Sequence, residues 1–516
     1  MAGMELSDAI DHGMLLAYHA ARMPDTSAVV SRYGERTFGE INHHANRLAR
    51  LLAANAIGPG DAVAVVTRNR PEFVEMLAAT ARPGIRLTPI NFHLTGDEIG
   101  YIIDNCEAKA LIADATLGTA PVQAARHAPN LRLKLSAGGE LDGFDDFAVA
   151  IQPYDGSDID NPLLGSRMLY TSGTTGRPKG VYRKQRAPEV PQWEGTRSNY
   201  QPGSDRALVT GPAYHAAPLL TDVVHPLVSG VGIVMMDKWD AEETLRLIDE
   251  YAVTHTHMVA TMFHRLLQLS EATKRTFDIS SLRLLVHGAA PCPVHIKKAM
   301  IEWLGPIIWE YYAATEGGGG FLVGSEEWLT KPGTVGKPGP DFDNKILDDN
   351  DAEVAPGEIG TIYMKAPNVG RFEYYNDGEK TGNSYRGDHF TLGDMGYFDE
   401  DGYLFLTGRS AELIIAGGVN IYPQEVDTEL MKHPSVYDVC TVGAPNEEWG
   451  EEVKSVVQLQ PGVNQDDALT EELMTWARDR LANFKCPRSI DYVSEIPRSA
   501  AGKVQRRSVR AAYWDD

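Results

Sequence analysis

The stretch Leu169-Tyr170-Thr171-Ser172-Gly173-Thr174-Thr175-Gly176-Arg177-Pro178-Lys179-Gly180-Val181 decides how the rest of the chain is read. An apolar run, Met168–Tyr170, leads into hydroxyls at Thr171, Ser172, Thr174 and Thr175, interspersed with glycines and closed by Lys179. Glycine lets a backbone turn tightly and bring bare N–H groups close to a ligand. Hydroxyls add donors and the lysine adds a point charge, a set that suits a polyphosphate. A solvated Gly/Ser turn is the plainer alternative, and the density of donors straight after a strand-like segment argues against it. The spacing also lacks the G-x-x-x-x-G-K-[ST] pattern of the P-loop. The stretch therefore reads as a phosphate loop of another kind.

Outward from this loop, the 516 residues, 43% hydrophobic, can bury a large core and exceed one compact domain. A net charge of −23 argues against nucleic acid or an anionic membrane as a general partner, while leaving room for a local basic site. Cys106, Cys292, Cys440 and Cys486 form no CxxC pair, so neither zinc nor a disulfide framework is indicated, and a reducing cytoplasm fits. Acidic Glu5, Asp8 and Asp11 near the N-terminus give no sign of a signal peptide, and apolar stretches such as Pro226–Met236 are too short to span a membrane.

Residues 25 to 115 alternate β-rich runs with helical periodicity. The pattern predicts strands at Ala28–Ser31, Ala62–Thr67, Arg86–Ile90 and Ala108–Ala113. It predicts helices from the Thr37/Glu40 capping box, with Ile41, Ala45, Leu48 and Leu52 on one face, and at Pro71–Ala81 and Asp97–Asn105. Such alternation argues for an α/β sheet covered by helices. Arg183–Arg206 reads as a solvated loop, with contact to an anionic ligand as the lesser alternative. His255, His257 and His264 fit packing better than metal binding. Asp348–Asp351 and Asp399–Gly402 lack calcium-loop spacing and read as hairpin turns. From Leu413 onward a second, smaller pattern begins: helices at Gln424–His433 and Thr470–Ala482, with strands at Val436–Val442, Val453–Leu459 and Ile490–Val493.

The loop SGTTGRPKG resembles the signature of the adenylate-forming superfamily of acyl-CoA synthetases, nonribosomal adenylation domains and luciferases. Further signatures follow in the family's order: Trp309-Glu310-Tyr311-Tyr312-Ala313-Ala314-Thr315-Glu316, Thr391-Leu392-Gly393-Asp394 with Gly408-Arg409, Gly417-Gly418-Val419-Asn420-Ile421-Tyr422-Pro423, and Pro497–Lys503. The resemblance implies a large multi-layer α/β N-terminal domain, residues 1–409, and a small mobile α+β C-terminal lid, residues 410–516, hinged at Glu412. It implies ATP, Mg²⁺ and coenzyme A, with an acyl-AMP intermediate and a small-molecule carboxylic acid as substrate. A homodimer is left open.

By the same resemblance, Thr171, Ser172, Gly173, Thr174, Thr175, Gly176 and Lys179 hold the phosphates, and Glu316 holds Mg²⁺. Gly288, Ala289, Ala290, Glu310, Tyr311, Tyr312, Ala313 and Thr315 border the nucleotide, and Asp394 with Arg409 takes the ribose. Lys503 is the catalytic cation, with Thr171, Lys179, Glu316 and His215 beside it. Tyr214, His215, Ala216, Ala217, Ala260, Ala289 and Ala313 wall the acyl group, and Gly417, Gly418 and Val419 serve the coenzyme A side. The family pattern is departed from at Ala313, Leu392 and Glu412. Ala213-Tyr214-His215 stands where amino-acid-activating relatives carry an acidic residue, which disfavours an amino acid. Small wall residues suggest a roomy pocket, and the segments look most like the branch acting on steroid or terpenoid acids. A carrier-protein acceptor, or retention of one half-reaction alone, is the alternative.

Overall fold

The computed structural model describes residues 4–171, 177–184, 187–365, 370–499 and 502–514. Its first layer is a six-stranded parallel sheet with Ala62–Val66 in its interior. All residues of that strand are buried, the near-continuous apolar pattern of a sheet covered on both faces. The helix packed on it, Phe38–Ala54, begins with the capping box of Thr37 and Glu40 formed reciprocally. Its face of Ile41, Ala45, Leu48 and Leu52 is fully buried. Burial of each such Leu or Ile contributes about 1.5–3 kcal/mol. Helix Pro71–Ala81 starts on a proline at its first turn, where the missing N–H has no intrahelical partner to lose.

The second layer is a long mixed sheet. Parallel strands Ser27–Ser31, Gly232–Met235, Arg206–Val209, His255–Met258, Leu284–His287 and Ile308–Tyr312 lie in that order. Phe321–Gly324 then turns the sheet antiparallel, and it continues through Thr334–Pro338 to the hairpin of Asp394–Phe398 and Leu404–Arg409. Beneath the junction Lys297 is fully buried: its ammonium lies 2.5 Å from the Glu310 carboxylate and over the Trp328 ring. A third, small sheet pairs Leu169–Thr171 with Lys179–Tyr182 and the latter with Glu373–Tyr374.

The small C-terminal domain is built on the hairpin of Val436–Asn446 and Gly450–Leu459, with Ser489–Tyr492 parallel to the second strand. Helix Asp467–Arg478 covers it. That helix lies a few residues earlier than the periodicity suggests, because the Asp466 side chain caps it by accepting from Leu469 N–H. Residues 187–205 are without regular structure, as expected, yet Tyr200 among them is buried with its ring tilted against His255 at 4.4 Å. Asp399–Gly402 closes a hairpin, as read, and Lys331 holds both of its aspartates. Among the described residues no group of His, Cys, Asp or Glu is arranged to hold a metal ion, and no helix is long and apolar enough to cross a membrane. All four cysteines are free thiols; Cys106, Cys440 and Cys486 are buried.

One buried cation ties the C-terminal domain to the segment that enters it. Arg506 donates to Asp427 at 2.8 Å, to Glu412 at 3.1 Å and to the Thr441 carbonyl. Burial pushes the Asp427 carboxyl up, and Arg506 opposes this. Arg506→Met leaves Asp427 buried without a cation, a loss of about 3–5 kcal/mol. Amide hydrogen exchange across residues 414–492 is expected to accelerate strongly, while the parallel sheet around Ala62–Val66 exchanges as before.

Candidate active site

The strands on either side of the expected phosphate-binding residues pair with each other, Thr171 facing Lys179 in antiparallel register. Ser172, Gly173, Thr174, Thr175 and Gly176 lie outside the described residues. The Lys179 ammonium is buried, donates to no protein partner among the described residues, and stands 5.6 Å over the Tyr374 ring. The Tyr374 hydroxyl donates to Glu316 Oε1 at 3.0 Å. Glu316 is buried, and burial pushes its carboxyl up, against the pull of its hydrogen bonds and of Arg409 and Lys503. An under-neutralised buried carboxylate facing a cleft suits a divalent cation.

The floor comes from two adjacent parallel strands and the turns that leave them. After Leu284–His287 the chain passes through Gly288, where a Cβ would stand 2.6 Å from the Tyr311 ring and 2.8 Å from the Tyr311 carbonyl. Only glycine permits that approach. Ala289 then takes φ +66°, the left-handed region that a Cβ disfavours by ~1–2 kcal/mol. From the neighbouring strand, Tyr312 donates to Asp394 Oδ2 at 2.7 Å, and Arg409 Nε donates to Asp394 Oδ1 at 2.9 Å. Each oxygen keeps lone-pair capacity for a diol. Asp394 and Arg409 are paired in the hairpin register, and the carboxylate raises the arginine's pKa. Thr315 is partly buried and Ala313 exposed at the cleft.

His215 caps the opposite wall. Tyr214 is buried between Phe92, edge-on at 5.4 Å, and the His215 ring at 4.5 Å. Burial first, then the charge of Lys503, lowers His215 to about 4, so the imidazole is neutral at pH 7. Its Nε2 is buried and unpartnered among the described residues. Lys503 arrives on a turn braced by Arg498, which clasps Asp438 at 2.7 and 2.8 Å and donates to the Gly502 carbonyl at 2.8 Å. Gly502 lies against Val259 and Thr261 of the large domain. Lys503 keeps solvent contact within a protein-walled cleft. Desolvation and Arg409 lower its pKa, while Asp394 and Glu316 raise it.

Other expected residues sit elsewhere. Glu310 spends its carboxylate on Lys297 at 2.5 Å and His287 at 3.4 Å, beneath the sheet. Gly417, Gly418 and Val419 form an exposed hairpin tip on the C-terminal domain, with positive φ at both glycines. Glu412 is held by Arg506 on the C-terminal side. Ala260 is buried at the head of helix Ala260–Leu267, while Ala216, Ala217 and Ala290 are half-buried. Leu392 packs into the apolar cluster under the Asp394 hairpin. Tyr374 was not singled out from the sequence. It lies 58 residues from Glu316, and only its place in the aromatic run Phe372–Tyr375 marks it.

The AMP-binding enzyme family model matches residues 16–375, and the AMP-binding enzyme C-terminal domain model matches residues 425–503. A feruloyl-CoA synthase of Amycolatopsis is 32% identical over 499 residues, covering 96% of this chain and 97% of that protein. Among solved structures, ATP-bound MatB of Rhodopseudomonas palustris superposes with a TM-score of 0.80 at 27% identity, covering 97% of this chain and 98% of the other. The fold is also shared with the anthranilate CoA ligase AuaEII in complex with anthranoyl-AMP, at a TM-score of 0.85, 24% identity and 99% coverage of both chains.

The left-handed alanine gives a direct check on this geometry. Ala289→Gly is expected to stabilise the protein by roughly 1 kcal/mol and Ala289→Val to destabilise it by more than that. Thermal denaturation of the two variants against the parent measures the order Gly, Ala, Val.

Proposed function

The chain belongs to the AMP-binding enzyme family, and from that premise we propose how its own residues divide the work of an ATP-dependent, AMP-forming ligation of a carboxylic acid to coenzyme A. One observation carries the assignment. Arg409 is paired with Asp394 at 2.9 Å, and Lys503 and Glu316, drawn from distant segments, lie near enough to that pair for Arg409 to bear on the proton affinity of both. In the first half-reaction a carboxylate oxygen of the acid attacks the α-phosphorus of ATP, and the bond to the bridging oxygen breaks to release pyrophosphate. In the second, the sulfur of coenzyme A attacks the acyl carbon and AMP departs.

Lys503 balances the charge that builds between carboxylate and α-phosphate, and Lys179 takes the outer phosphates. The neutral imidazole of His215 holds the substrate carboxylate without quenching it as a nucleophile. Asp394 accepts from the ribose hydroxyls while Arg409 and Tyr312 fix its orientation. Glu316 is the residue that would hold Mg²⁺, which when bound neutralises the triphosphate. The first half-reaction needs no general base, since the carboxylate is already ionised and positioning supplies most of the effect; in the second, the coenzyme A thiol gives its proton up to solvent and attacks as the thiolate.

We place the domain boundary at residues 409 and 410. Arg409 is anchored to Asp394 on one side and Glu412 to Arg506 on the other, and the Ser410 N–H donates to the Gly393 carbonyl at 2.8 Å, so the turn of the lid is read at Glu412, beyond that bond. Rotation there would exchange the Lys503 turn for the Gly417–Val419 tip. The acid is a bulky, non-amino one, steroid and terpenoid acids being the first to test. The small side chains of Ala216, Ala217 and Ala289 and the absence of an acidic residue at Tyr214-His215 support this reading.

Lys503→Ala is expected to lower acid-dependent pyrophosphate release by ~10²–10³. Thioester formation from supplied acyl-adenylate should be largely spared, and equal loss in both steps would overturn the role given to Lys503. Tyr374→Phe keeps the ring under Lys179 and removes the donor to Glu316. Pyrophosphate release should fall about tenfold, the worth of one hydrogen bond to a charged group, and recover in part as Mg²⁺ is raised.

A further inference from the structure

The two strands that carry the nucleotide floor run side by side, His287 opposite Glu310 in parallel register. Floor residues follow each at once: Gly288 and Ala289 after His287, Tyr311 and Tyr312 after Glu310. Beneath them the Lys297 ammonium lies 2.5 Å from Glu310 Oε2 and 4.5 Å over the Trp328 ring. Lys297 and His287 are 0% exposed and Glu310 is 6% exposed. His287 Nε2 stands 3.4 Å from the same carboxylate oxygen, and neither ring nitrogen makes a hydrogen bond among the described residues. The histidine is thus a spare donor beside a carboxylate that already holds a cation.

Stability alone does not account for such a pair. Taking two charges out of water costs about as much as their attraction returns, and apolar residues of similar volume often do as well or better. An ion pair adds direction, which apolar packing lacks. Helix Val294–Leu304, strand Ile308–Tyr312 and the helix of Trp328, Ser325–Thr330, meet at this one ammonium. Two features of the floor require fixing of that kind. Gly288 leaves no slack against Tyr311, and Ala289 holds a φ of +66°, a conformation that persists only where its surroundings over-determine it. Tyr312, two residues beyond Glu310, carries the hydrogen bond to Asp394.

We propose that Lys297, Glu310 and His287 are positioning residues for ATP: the Lys297–Glu310 pair holds the two strands so that Gly288, Ala289 and Tyr311 present the surface on which the nucleoside lies. The proposal rests on the ATP-dependent ligase reading above and adds residues that themselves touch no substrate. Lys297 is the cation of the pair, and His287 is its reserve. Burial would push the Glu310 carboxyl up, but His287 and Lys297 outweigh it and hold the group down. For His287, burial lowers the pKa, Glu310 raises it and Lys297 lowers it again. The other titratable groups at this cluster are Cys292, whose thiol burial pushes up, and His257 on the next strand, which burial lowers to about 3. Removing the Lys297 ammonium therefore takes away a charge that opposes protonation of His287 and leaves Glu310, which favours it. The imidazole should then take a proton as the pH falls and stand in for the lysine.

The test is calorimetric binding of MgATP to the full chain at about pH 8 and about pH 6, on either side of the ordinary histidine pKa. The parent is compared with Lys297→Met, with Lys297→Met plus His287→Gln, and with Lys297→Met plus Glu310→Leu. Lys297→Met is expected to bind MgATP roughly tenfold or more weakly than the parent at the higher pH. Its Kd relative to the parent's should fall by about threefold or more at the lower pH, as His287 protonates. With His287→Gln added, that recovery should vanish. The Glu310→Leu combination strands no charge, so its thermal midpoint should match or exceed the parent's while MgATP binding stays weak at both pH values. It carries the test alone if Lys297→Met fails to fold. Parent-like affinity in that combination, a markedly lower thermal midpoint in it, a ratio for Lys297→Met that does not change with pH, or a recovery that survives His287→Gln overturns the proposal. A parent that binds no MgATP at either pH overturns the ligase reading itself and the proposal with it.

Discussion

Everything at the cleft is referred to the Asp394 carboxylate. One oxygen is taken by Tyr312, which belongs to the central sheet, and the other by Arg409, at the end of strand Leu404–Arg409. A single buried acid thus links the strand of Tyr312 to the strand end at Arg409. Coulomb attraction at a partly desolvated site is strong enough to hold that geometry. It also keeps Arg409 cationic where its charge depresses the proton affinity of Lys503. The lysine is consequently held between an arginine and two carboxylates, so these four charges cancel among themselves and the excess positive charge of the cleft comes from Lys179 and Arg183.

The local elements were legible in the chain because their signals are local. The Thr37/Glu40 box, the proline start of Pro71–Ala81 and the all-apolar Ala62–Val66 each declare themselves within a few residues. The long-range partnerships were not. Nothing near Glu310 announces that Lys297 and His287 occupy its carboxylate, because that pairing arises only when helix Val294–Leu304 packs on the sheet. Tyr374 meets Glu316 because a two-residue strand joins the phosphate hairpin, and so short an element leaves no periodicity to read.

The overall charge of −23 and the local chemistry point in opposite directions, and the fold reconciles them by distance. Acidic residues are spread over the surface, while Lys179, Arg183, Arg409 and Lys503 gather around one cleft. Fields from exposed charges decay within roughly 10 Å at physiological salt. Partly buried cations are screened far less, so the cleft presents a positive face to a polyphosphate although the molecule as a whole repels anions.

The burial of the thiols has a chemical consequence of its own. Thiolate, not thiol, attacks disulfides and activated acyl groups. Burial pushes Cys106 to about 11 and Cys440 to about 12, and raises Cys292 and Cys486 as well. An enzyme that holds an activated acyl group and admits a reactive external thiol is exposed to two side reactions, self-acylation and mixed-disulfide formation. With all four thiols pushed toward the protonated form, and three of them buried, this chain disfavours its own sulfurs as competitors of coenzyme A for the acyl-adenylate.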